Sequence, residues 1–146
     1  MLIASHSLVS GYVGEKLGNP FLAFLVGIML HFILDAIPHY DTTDKGKMTL
    51  RQILLIVVDG LIGFWIVCLY CSKMGLNYSF IAGVIGGLLP DIFDNSPLWS
   101  KKFRNTKHGH KLHQLHQAMH GKQFSAILGI LIQIAIITYF AILLLR

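Results

Sequence analysis

The chain has 146 residues, of which 54% are hydrophobic and only 13% charged, where soluble domains carry roughly 25% charged residues. That length suits one domain. With a mean hydropathy of +0.63, the composition argues against an ordinary soluble or disordered chain and for a membrane protein. The net charge of +5 does not call for nucleic acid, because basic residues in a membrane chain set its topology.

The first predicted element is a short helix over about 2–17. Residues 1–18 lack a basic leading region and are interrupted by Ser, His, Gly and Glu, so no cleavable signal peptide is expected. "KLGNP" then turns into an apolar helix over 20–37, with Asn19 as its cap and Pro20 at the first helical position. Pro38 ends it, since the residue before a proline avoids helical geometry. Further apolar helices are expected at 50–72, 78–95 and 124–146, each near the roughly 20 residues that cross a bilayer. The 78–95 segment is Gly-rich ("AGVIGGLLPD") and suited to close packing or to stopping short of a full crossing.

The expected architecture is therefore all-α: an integral membrane bundle of about four transmembrane helices plus a short N-terminal helix. It forms one domain over 1–146, with a His-rich connection at about 96–123. Cys68 and Cys71 have C-x-x-C spacing, but they fall in an apolar helix without the βαβ setting of a redox motif, so they read as ordinary small residues.

Alternating helices put the loop at 38–51 and the connection at 96–123 on one side. That side carries nine Lys and Arg: 45, 47, 51, 101, 102, 104, 107, 111 and 122. The other carries three: Lys16, Lys73 and Arg146. The positive-inside rule puts the richer side in the cytoplasm, so the expected location is a bacterial or archaeal cytoplasmic membrane.

The same topology gathers the polar residues. His6, His31, Asp35, Asp59, Asp91, Asp94, His113, His116 and His120 all fall in the cytoplasmic half. At about 1.5 Å rise per residue, His31 and Asp59 would both lie roughly 10–14 Å below the surface. A carboxylate as deep as Asp59 costs at least about 2.5–3.5 kcal/mol and needs a cation, a proton or water. His31 and Asp35, at i and i+4 in "LHFILDAIPHYD", project from one helical face. On a helix, His113, His116 and His120 also share a face. Blander readings exist for each: a backbone hydrogen bond for His6, a helix cap for Asp91 or Asp94, and a solvated helix touching anionic lipid for the His-rich segment.

Mixed His and Asp donors suit Zn²⁺, Mn²⁺ or Fe²⁺, and the donor count suggests two ions, bridged by an aspartate. The expected ligands are His6, His31, Asp35, Asp59, Asp91, His116 and His120. Asp94 is a further ligand or the general base, and His39 and Asp41 suit supporting or proton-transfer roles. Such a site at a membrane surface suits hydrolysis of a phosphoryl or acyl group. The expected substrate is a phosphate ester, a membrane lipid among the candidates, with no nucleic-acid partner. The chief alternative is a metal-ion or proton transporter or channel using the same cluster. Against it, no ionisable residue interrupts the opposite halves of the long helices. A third reading is a non-catalytic membrane scaffold.

An early "SH" at residues 5–6, a Gly-rich helix running into "GLLPDIFD" at 87–94, and a following His cluster together resemble the membrane-bound metal-dependent hydrolases, also called LexA-binding inner-membrane hydrolases. That family has an N-terminal Thr-His, a Pro-Asp-x-Asp element, and a His-Arg-Gly-x-Thr-His-Ser motif opening the next helix. The resemblance implies that His6, Asp91 and a downstream His are metal ligands. The chain departs from the pattern in two ways. "PDIFD" holds one more residue between its aspartates, and with the Arg-Gly-x-Thr-His-Ser motif absent His116 or His120 must stand in for its histidines.

Overall fold

The computed structural model describes residues 3–40, 49–96, 98–119 and 125–146. Among these residues the chain is entirely α-helical: α1 (Ile3–Leu17), α2 (Pro20–Ala36), α3 (Leu50–Met74), α4 (Tyr78–Asn95), α5 (Ser100–Arg104), α6 (Lys107–Met119) and α7 (Ala126–Leu145). The ends follow local chemistry. The Asn19 side chain accepts from the Leu22 amide at 3.0 Å, satisfying one of the orphan donors of the first turn of α2. Thr49 and Gln52 form a reciprocal capping box at the start of α3. Asn77 accepts from both Ser79 and Phe80 to open α4. Gly75, at φ 82°, closes α3 in a conformation few other residues adopt.

Among the described residues two helices, α3 and α7, are long and apolar enough to cross a membrane. Their apolar side chains point outward: Leu54, Val57, Val58, Leu61, Phe64 and Trp65 on α3, and Ile127, Leu131, Ile134 and Ile142 on α7, are exposed. A soluble core helix would bury such residues. The four-span expectation is thus met at two helices. Helix α2 has 17 residues, short of a full crossing, and α4 closes with Pro90, Asp91, Asp94 and Asn95.

Helices α1, α2 and α4 pack through glycine at backbone contact. A Cβ on Gly83 would strike the Ser10 carbonyl, and one on Gly27 would lie 2.6 Å from the Gly83 carbonyl. Small residues at such crossings let backbones meet and substitute for larger apolar interfaces. The two ends of the bundle differ. One, at the start of α4 and the C-terminal halves of α3 and α7, is apolar: Leu8, Ile66, Tyr70, Phe80 and Leu144 cluster there, with Tyr70 stacked on Phe80 at 3.9 Å between centroids. The other, where α2 and α4 end, is polar. Helix α6 packs there against both, and α5 packs on α4 and α6.

Candidate metal centre

The polar end is built from α1, α2, α4 and α6. His6, His31, Asp35, Asp94 and His116 are each buried, and burial of so many ionisable groups demands mutual pairing or a cation. His31 Nε2 lies 3.2 Å from Asp35 Oδ2 and 3.3 Å from His116 Nε2. His116 Nε2 lies 2.9 Å from the same Asp35 oxygen. These three atoms form a triangle whose edges are close to the roughly 3.4 Å edge of a tetrahedron with Zn–N and Zn–O bonds near 2.1 Å. Asp91 Oδ1 extends it, at 3.6 Å from His116 Nε2 and 3.9 Å from His31 Nε2. Two groups of donors within metal-sharing distance result: His31, Asp35 and His116, and His6, His31 and Asp91.

The tautomers follow from the partners. His31 Nδ1 donates to the Gly87 carbonyl at 2.8 Å, so its Nε2 presents a lone pair. Pro90, which has no N–H, removes the donor that would close onto the Gly86 carbonyl and loosens this turn of α4. His116 Nδ1 donates to Asp94 Oδ2 at 3.0 Å, which turns its Nε2 inward. Two imidazole lone pairs and a carboxylate oxygen therefore converge, an arrangement that repels itself unless a proton or cation sits among them. Burial alone pulls the His116 pKa down, but hydrogen bonds to Asp35 and Asp94, with the charge of Asp91, outweigh it and raise it to about 9. In the metal-free protein a proton on His116 fills the cation's role.

An outer ring holds these donors in place. Asp94 accepts from His113 Nδ1 at 2.9 Å and from Arg104 Nε at 2.9 Å, and its carbonyl accepts from Arg104 Nη2. Asn95 Nδ2 donates to Asp91 Oδ1 at 2.7 Å, one turn along α4. Carboxylate or carbonyl partners on the outer nitrogen of each histidine are the usual support of a metal-binding imidazole. His6 stacks on His31, with centroids 4.2 Å apart and planes inclined by 24°. Its Nε2 is 3.2 Å from Asp35 Oδ1 without hydrogen-bond alignment, and neither ring nitrogen has a hydrogen-bond partner among the described residues. A fully buried imidazole so placed suits a metal ligand. One ring nitrogen binds one ion, so His31 serves only one of the two groups at a time. A second ion would draw on His6, Asp91 and the outer oxygen of Asp35.

Five of the expected ligands thus meet: His6, His31, Asp35, Asp91 and His116. Asp59 lies in neither group. Its Oδ2 accepts from the Ala4 amide at 3.0 Å, at the first turn of α1, where unpaired N–H groups attract a carboxylate. Asp94 takes the supporting position behind His116. His39 is buried and donates from Nδ1 to the Ile37 carbonyl at 2.7 Å, outside both groups. Asp41 and His120 lie outside the described residues. Arg104 and Asn95 are contributors that sequence reasoning passed over. Arg104 read as a topology charge, and only the fold brings it to Asp94. Asn95, at i+4 from Asp91, was open to detection by helical spacing. Cys68 and Cys71 are free thiols on α3, Cys71 beside the apolar cluster at the other end.

No family model, no curated protein and no solved structure matches this chain.

Proposed function

We propose that this chain is a membrane-embedded, metal-dependent hydrolase acting on a phosphate ester, a lipid phosphate among the candidates. The observation that carries the reading is the convergence of His31 Nε2, Asp35 Oδ2 and His116 Nε2 at 2.9–3.3 Å, with both outer imidazole nitrogens already donated elsewhere. The donor set of imidazoles and carboxylates without thiolate fits Zn²⁺ first, then Mn²⁺ or Fe²⁺. In this reading His31, Asp35, His116 and Asp91 hold one ion, and His6 with the second oxygens of Asp35 or Asp91 holds another. The ions would supply Lewis acidity and a water of lowered pKa.

The protein's own groups do the rest. Asp94 and Gly87 orient the two histidines, and α6 shields the centre from bulk water. Asp91 is the most open of the clustered carboxylates, with its side chain 22% exposed, so substrate would approach on its side. The reading includes α2 and α4 as further membrane segments beside α3 and α7, with the site at the cytoplasmic face. Confinement of the cluster to one end of the bundle favours hydrolysis over transport.

The test is elemental analysis of detergent-purified protein, wild type beside His31→Ala and His116→Ala, followed by a phosphoester screen of the metal-loaded wild type. Stoichiometric metal lost in both folded variants, with hydrolysis that depends on the metal, is the expected result. Metal-dependent ion flux in proteoliposomes without hydrolysis would instead favour a transporter. Absence of stoichiometric metal would sink the metal centre and leave proton transport as the reading to test in proteoliposomes.

A further inference from the structure

The short pair α5–α6 does more than deliver His116. It lies across the end of the bundle where α2 and α4 finish, and its outer face is cationic. Lys101, Lys102, Lys107 and Lys111 are exposed, and no Asp or Glu follows Asp94 in the chain. Arg104 is already paired with Asp94, whereas none of the four lysines has an ion-pair partner among the described residues. Ahead of them stand two apolar side chains that the described residues leave open: Leu98, 80% exposed, and Trp99, 41% exposed. Trp99 is held in place by its indole N–H, which donates to the Ile92 carbonyl at 2.9 Å. An anchored, half-open indole beside unpaired lysines is the pattern of a bilayer's headgroup level, where an aromatic ring meets acyl chains and cations meet phosphate.

We infer that the outer face of α5–α6 docks on the headgroups of anionic phospholipids, with Leu98 and Trp99 inserted and Lys101, Lys102, Lys107 and Lys111 on the phosphates. The inference rests on the membrane-embedded reading above but not on hydrolysis or on metal. Charge complementarity selects the occupant: four unpaired cations at a bundle end call for an anionic surface, and the flanking apolar pair calls for a surface with an oily interior. Nucleic acid would use the lysines, and an unpaired base could stack on Trp99, but it would leave Leu98 idle.

The experiment uses full-length protein reconstituted into mixed phosphatidylcholine–phosphatidylglycerol vesicles and extracted in mild detergent. Retained lipid is counted by native mass spectrometry. Wild type is expected to hold phosphatidylglycerol in preference to phosphatidylcholine, with the preference falling as salt rises. Each Lys→Gln change should weaken it about fivefold, and the combined variant Lys101→Gln, Lys102→Gln, Lys107→Gln, Lys111→Gln should abolish it with metal content unchanged. Should the combined variant fail to fold, the single variants and the salt series on wild type decide the matter. In a Trp65→Phe background, Trp99 fluorescence should be quenched by brominated lipid more strongly when phosphatidylglycerol is present. Equal retention of the two lipids by wild type, or a preference unaffected by salt and by the substitutions, would overturn the inference. So would a labelled oligonucleotide that binds the reconstituted protein through the same lysines while lipid retention stays unchanged.

Discussion

Asp94 and His116 are joined by a 3.0 Å hydrogen bond from imidazole Nδ1 to carboxylate Oδ2, and this bond aims the other nitrogen of His116 at Asp35 and His31. Asp94 also receives His113 and Arg104, so one buried carboxylate fixes three side chains of α5 and α6 to the end of α4. Replacing it with Asn removes the charge while roughly keeping the shape. Asp94→Asn should weaken metal affinity about 10–100-fold, the usual cost of losing such a supporting partner, without abolishing binding. Competition with a calibrated chelator reads this directly.

The inner donors should behave differently from one another. His31→Ala should remove the ion that His31 holds with Asp35, His116 and Asp91, leaving at most the one that draws on His6. His6→Ala should lower the content to one ion, since His6 belongs to only one group. His113→Ala should leave content unchanged and reduce affinity modestly. Elemental analysis of the three variants separates these outcomes, and equal loss in all three would mean the sites are not distinct.

Metal binding should depend on pH in a defined direction. His116 has its pKa raised to about 9 in the metal-free protein, so below that pH it holds a proton that an incoming ion must displace. Apparent affinity should therefore climb from pH 6 to pH 9 and level off beyond. In the metal-free protein the same shift works in reverse for stability. The protonated His116 contributes fully below its unfolded value near 6.5, and the contribution fades as pH rises through 9. Isothermal titration and thermal melts across that range check both signs.

Asp59 is a test of whether geometry or depth identifies a ligand. Its hydrogen bond to the Ala4 amide gives it a partner within the protein, and it belongs to neither donor group. Asp59→Ala should leave the metal content intact and cost about 1–3 kcal/mol for the buried amide left unpaired. Loss of metal from a folded Asp59→Ala protein would restore it to the ligand set.

Gly83 should tolerate no side chain. A Cβ there strikes the Ser10 carbonyl, a backbone atom that cannot swing aside, so Gly83→Ala should destabilise the bundle by about 1–3 kcal/mol. A denaturant titration in detergent measures it. Gly60→Ala, where the nearest contact is 3.7 Å away, provides the comparison and should be close to neutral.

The sequence by itself determined five of the helices and roughly where they stop, whereas α5 and α6 fall in the segment that reads as a connection. Apolar runs, the Asn19–Pro20 start and the Pro38 stop are local signals that need no tertiary partner, and the bounds of α2 and α4 match them within a residue. Counting rise along alternating helices also brought His6, His31, Asp35, Asp91 and His116 to one end of the bundle. Depth, however, fixes only one coordinate. Azimuth around each helix and the crossing of helices remote in sequence are set by packing, here by glycine contacts among α1, α2 and α4. The close approach of α3 to α1, where Gly63 meets Ala4, turns Asp59 toward the Ala4 amide, 55 residues away in the chain, rather than toward the histidines. The packing of α5 and α6 on the ends of α2 and α4 decides that His116 points inward while His113 meets Asp94 from outside, and that Arg104 becomes a brace instead of a free surface charge. Ranks of side chains along a helix can be read from a string of letters. Which neighbour each one faces depends on how closely two backbones approach, and only the folded chain supplies that distance.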